Sequence, residues 1–175
     1  MKGQFWSIDV IFAIALFGVA IVILTFVWYN ISNQFAVASG YGVESMQTQL
    51  QGLESMVLSA GHPANWNSFV DLSNTITWAN MSTGLVGSQG SLSTKKILTL
   101  MAMSNTNYQA TKQDLGVGYD YYINIKSSTF NVNIGQNPNG RNATSIQVAT
   151  VPIVVDGSPG YMQLIVWTNT TFGVT

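Results

Sequence analysis

A chain of 175 residues with a formal net charge of −1 and no cysteine excludes a disulfide framework and thiolate metal sites. It also lacks the basic balance expected of a nucleic-acid binder. Only 7% of its residues are charged, far below the roughly 25% of an ordinary soluble domain. Ser, Thr, Asn, Gln and Gly carry the polarity instead, a neutral surface suited to exported or densely packed proteins that do not rely on repulsion to stay apart.

This length predicts one globular domain with an attached segment. The segment comes first. "MKGQFWSIDVIFAIALFGVA" opens with a short basic head and the acid Asp9, and the run from Val10 to Tyr29 is then apolar with only Gly18 and Thr25 as mild exceptions. About twenty helical residues span about 30 Å, the thickness of a bilayer's hydrocarbon core. No charged residue lies between Asp9 and Glu44, and Trp6 on one side and Trp28–Tyr29 on the other sit where interfacial aromatics belong. Lys2 and the terminal amine place the amino terminus on the cytoplasmic side. A cleaved secretory signal is the alternative, with "AVAS" at residues 36–39 as its small-residue site, but its apolar core would normally be about 7–15 residues. A retained helix is the better reading.

Helical spacing continues past the apolar run. Val43, Met46, Leu50, Leu53 and Val57 recur every three or four residues, with Glu44, Gln47, Gln49 and Glu54 between them. This is one apolar stripe, expected to lie on the protein's own C-terminal domain. Gly40-Tyr41-Gly42 predicts a kink or loosened turn, because each glycine weakens a helix by about 1 kcal/mol relative to alanine. Gly61 and Pro63 in "SAGHPANW" end the helix. Residues 4–60 therefore read as one hydrophobic-then-amphipathic helix, near 80 Å if straight.

Residues 61–175 read as a β-rich head. Short strands, including Thr75–Trp78, are expected in the Ser- and Gly-rich stretch before a short helix in "STKKILTLMAMSN", capped by Ser93 or Thr94. "NYQATKQDLGVG" adds another turn or two of helix. Four strands follow, at residues 119–126, 129–135, 144–155 and 161–168, the second alternating Phe130, Val132 and Ile134 against Asn131 and Asn133. Residues 156–160 make a hairpin turn between the last two, "GQNPNGRNATS" reads as another hairpin-type loop, and Pro152 belongs at an edge or bulge. The fold class is α+β, a long N-terminal helix packed on an antiparallel sheet with one or two short helices.

Little in the chain points to catalysis. His62 is the single histidine and stands beside Pro63 in a helix-ending loop, with no acid or second ligand nearby in sequence. Asp114 and Asp120 lack the spacing of a calcium loop. No phosphate-binding glycine loop or nucleophile elbow occurs, so neither an enzyme nor a bound cofactor or metal is expected. The sequons at Asn80, Asn142 and Asn169 are candidate N-glycosylation sites, while the sequon at Asn30 abuts the apolar helix.

"KGQFWSIDVIFAIALF" resembles the class III signal peptide of archaeal type IV pilin-like proteins: a short basic leader, glycine, glutamine, then an acid opening a long apolar helix. A long N-terminal helix feeding a small Ser/Thr/Asn-rich β head is similar to that family's architecture, and "GHPANW" and "LGVGYDYYINI" also look like its heads. The resemblance implies a membrane-inserted precursor cut by a prepilin peptidase at Gly3–Gln4, making residues 1–3 a leader. It further implies an assembly platform and a homo-oligomeric helical filament, extracellular at the cell surface and serving adhesion. The filament core would be built from Val10, Ile11, Phe12, Phe17, Phe26, Trp28 and Tyr29 and its neighbours, with Asp9 as an assembly residue. Cutting Gly3–Gln4 leaves Asp9 sixth in the mature chain, whereas the family's acid usually lies fifth. Cutting Gln4–Phe5 restores that position with a poor residue before the cut, and an unprocessed chain is the third alternative. A single-pass anchored binding module, or a minor pilin or pseudopilin of a secretion, uptake or motility machine, is the competing reading.

Overall fold

The computed structural model describes residues 4–36, 42–87 and 90–169, with side chains described at 10–28 and from residue 45 within those ranges. Two units are distinguished, one built on the first helix and a head that begins at Val43. The protein is α+β: an N-terminal apolar helix, several short helices and a four-stranded antiparallel open sheet.

The first helix, α1, spans Gln4–Ala36. The second, α2, covers Gly42–Val57. Of the expected kink at Gly40-Tyr41-Gly42, the first two residues lie outside the described residues and Gly42 opens α2. Of the predicted α2 stripe, Met46, Leu50, Leu53 and Val57 are all buried, and the side chain of Val43 lies outside the described residues. The helix ends at Val57, short of the expected residue 60. There the Ser59 N–H and hydroxyl both turn back to the Met56 carbonyl, at 3.0 and 2.7 Å, and the Ser59 hydroxyl accepts the Gly61 N–H at 3.1 Å. Gly61 follows at φ 75°, and a Cβ on it would collide with the Ser82 carbonyl. Only glycine meets both conditions without strain.

The sheet comprises β1 (Asp120–Ser127), β2 (Asn131–Gly135), β3 (Ser145–Val155) and β4 (Ser158–Thr168). Their order is β2-β1-β4-β3, and each neighbouring pair is antiparallel. Alternation sends Tyr121, Ile123 and Ile125 of β1, Ile134 of β2 and Met162, Leu164 and Val166 of β4 to one face. There they meet the α2 stripe and Ile97, Leu100 and Met103 of α3 (Thr94–Thr106) in one core. Burying each large aliphatic side chain contributes about 1.5–3 kcal/mol, so this layer is the main source of stability in the head. Helix α4 (Tyr108–Asp114) follows α3, with the Asn107 side chain accepting the Ala110 N–H at 3.0 Å as its N-cap.

Three expectations are corrected. Thr75–Trp78 is a 3-10 helix and not a strand. The Asn74 side chain accepts the Ile76 N–H at 3.1 Å, and the Trp78 indole is buried with its N–H on the Asp71 carbonyl at 3.0 Å. "GQNPNGRNATS" is no hairpin, because it joins β2 to β3 at opposite edges of the sheet. Its path is fixed by the Gln136 N–H on the Tyr121 carbonyl, the buried Trp167 indole N–H on the Gln136 carbonyl, and the Thr144 N–H on the Thr168 carbonyl. The β3–β4 turn is Asp156–Gly157 alone, with φ of 44° and 88°, so Pro159 and Gly160 already belong to β4. Two left-handed residues give the turn whose twist matches a hairpin. Pro152 lies in edge strand β3, as its missing N–H requires.

Candidate functional site

Helix α1 holds one segment, Val10–Trp28, long and apolar enough to cross a membrane. Its 19 residues rise about 28 Å, close to the hydrocarbon thickness of a bilayer. None of the segment is buried within the protein, and the exposure of its large side chains runs from 46% at Val27 to 73% at Leu24. Val10, Ile11, Phe12, Phe17, Phe26 and Trp28 are all exposed. Within Val10–Trp28 no side is buried, unlike α2. The Thr25 hydroxyl donates to the Ile21 carbonyl at 2.8 Å, so the segment's one hydroxyl is satisfied within the helix and needs no water.

Gln4, Asp9 and Tyr29 lie in α1, and their side chains fall outside the described residues, as does Gly3 altogether. The structure therefore brings together the apolar set and leaves the processing and assembly positions to experiment. Asn80, Asn142 and Asn169 are all exposed, the accessibility a glycan needs. His62 is exposed in a bridge to Ser82, exchanging backbone hydrogen bonds of 2.9 and 2.8 Å. Among the described residues, no group of three or more His, Cys, Asp or Glu is placed to hold a metal ion.

Asp114 and Asp120 do different things. Asp120 accepts from the Tyr108 hydroxyl at 3.0 Å and pairs with Lys112 at 3.3 Å. Tyr108 stacks on Tyr121 with ring centroids 5.1 Å apart, and the Tyr121 hydroxyl bonds Ser104 at 3.0 Å. Burial raises both phenols, Tyr121 to about 12, so the two hydroxyls stay protonated and serve as structural donors. Asp114 has one buried carboxylate oxygen with no hydrogen-bond partner among the described residues. Burial pushes its pKa up to about 6 against a smaller lowering by its bond with Thr83.

Lys96 was not singled out by the sequence reading. It is buried in α3, and its ammonium donates to the carbonyls of Ala60 and Val86, both at 2.7 Å. It thereby ties the chain after α2 to the loop before α3, and burial lowers its pKa. The signal was present in the helical phase, since position 96 shares a stripe with Leu100 and Met103.

Comparison of the chain with protein-family models, with curated proteins and with solved structures finds no match in any of the three.

Proposed function

We propose that this protein is a structural subunit of a surface filament of the archaeal type IV pilus kind, held in the membrane as a precursor and packed through its apolar helix after assembly. One observation carries the reading: Val10–Trp28 is apolar and exposed on every side, while the head buries a complete core of its own. A helix apolar all round can pass from lipid into a bundle of identical helices without meeting water. The sparse charge of the chain limits repulsion between stacked heads. Exposed Asn80, Asn142 and Asn169 are the positions at which glycans would coat such a polymer.

Asp9 precedes the apolar run. In a precursor it remains near the headgroups, whereas in a packed core a carboxylate is costly unless paired. The new terminal ammonium of a neighbouring subunit, released by a peptidase at Gly3–Gln4 or Gln4–Phe5, is the available partner. Asp9→Ala then leaves membrane insertion intact and reduces filament yield; undiminished filaments would remove Asp9 from assembly.

The test is negative-stain microscopy of sheared material together with the intact mass of its subunit. Filaments whose subunit lacks the first three or four residues are the expected result. Met1 retained in polymer would sink the processing step. Detergent-extracted monomer with no filaments would favour the second reading, a single-pass anchored extracellular module, to which the match of the helix to one bilayer thickness also points.

A further inference from the structure

We propose that the outer edge of β3 pairs with the same edge of a second copy, joining two heads into one continuous sheet about a two-fold axis at Val148. The hairpin sets up the argument. Across the two-residue turn, Val155 faces Ser158, the pair that exchanges both backbone hydrogen bonds. Alternation then directs the N–H and C=O groups of Ile146, Val148, Thr150, Pro152 and Val154 away from β4. The Val154 carbonyl confirms that sense, since it accepts the Leu92 N–H at 2.8 Å. Leu92 therefore closes one end of the edge, and Pro152 has no N–H to offer. At the other end, the Thr144 N–H is already turned to Thr168 at 2.8 Å. What remains open among the described residues is Ile146 to Thr150.

This open stretch has none of the usual protections of an edge strand. No charged residue stands between Arg141 and Asp156, although charge on the edge is the common way to prevent strand addition. Ile146 and Val148 are 46% and 50% exposed on the face away from the core. The pattern is also self-complementary. In an antiparallel copy, Val148 meets its own equivalent and Ile146 meets Thr150, and every one of these residues has its backbone groups facing the partner. The ladder then ends on both sides at Pro152 and Thr144, so no other register uses all the free groups.

The contact is small. Two apolar side chains and a five-residue ladder fall well short of the roughly 1,200 Å² total of a stable soluble dimer. Pairing therefore needs the raised local concentration that comes from holding both copies in one membrane or filament. In that respect it rests on the anchored reading of α1.

The chain has no cysteine, so a register test is direct. Full-length Val148→Cys, reconstituted in phospholipid vesicles and mildly oxidised, should give a covalent dimer. Paired Cα atoms in such a ladder lie about 5.5 Å apart, within disulfide reach. Ile146→Cys alone should give at least tenfold less, because its two equivalents stand four residues apart along the strand, about 13 Å. A mixture of Ile146→Cys and Thr150→Cys should restore the dimer. Adding Thr150→Pro to Val148→Cys, which removes an N–H that β4 does not use, should lower the yield. Equal cross-linking of Val148→Cys and Ile146→Cys would overturn the proposal. So would capture of Val148→Cys by a cysteine at Val174 of the same chain, which would assign the edge to the chain's own C-terminal residues. Flotation of the same vesicles separates the two readings. A chain that floats without a Val148 dimer overturns the pairing and leaves anchoring intact; one that does not float but cross-links at Val148 when concentrated sustains pairing without the anchor.

Discussion

At Asp114 the head keeps a carboxylate under conditions that favour its neutral form. Its pKa, raised from 3.8 to about 6 by burial, is higher in the folded than in the unfolded chain. The folded state therefore takes up the proton first as pH falls. The stability this adds is fully present below about pH 4 and is lost as pH rises through about 6. Allowing for partial exposure, the effect is on the order of 1–2 kcal/mol. Asp114→Asn should flatten this dependence, measured as urea midpoints of the detergent-solubilised chain at pH 4.5 and 7.5; an unchanged slope would show that another group carries it. Lys96 solves the opposite problem differently. Burial lowers its pKa, and its ammonium donates to two carbonyl oxygens at 2.7 Å, bonds that offset its desolvation. In a chain so poor in charge, each buried ionisable group has a local reason that composition alone does not reveal.

Among the elements, α1 and α2 illustrate how periodicity separates two destinations for a helix. The α2 stripe repeats at three and four residues and is buried in the head, while α1 has no polar face and no buried side in Val10–Trp28. This sets an expectation for substitutions in α1. A lysine at Leu16, Ile21 or Val22, which lie on different sides of the helix, should weaken vesicle flotation by a similar amount at each position, on the order of 2.5–3.5 kcal/mol. Strong dependence on which side carries the lysine would instead indicate a helix packed on one partner. The helices and all four strands were legible because their apolar spacing runs over many residues. Thr75–Trp78 was not, since four β-branched and aromatic residues fit a strand equally well, and the Asn74 cap decides locally. "GQNPNGRNATS" was misread for a different reason. Gly, Asn and Pro report that the chain turns, but not which strands become neighbours. The same blindness hid the open edge of β3, which exists only because β4 and not β3 lies beside β1.

For the whole molecule, the strand order has a consequence in time. Strand β4 is the last of the four described strands in sequence, yet it is central, paired along its length with both β1 and β3. Until Ser158–Thr168 has emerged from the ribosome, β1–β2 and β3 have no common neighbour and the core lacks Met162, Leu164 and Val166. A chain ended after Asp156 should accordingly be degraded by protease at concentrations that leave a chain ended after Thr168 intact. Resistance of the shorter chain would show that α2, α3 and β1–β2 suffice. The sheet thus acts as a timer set by translation, with the fold withheld until its last strand is made. An N-terminal helix would reach a membrane well before the head it carries could close, and the head would remain a flexible, threadable polymer for that interval.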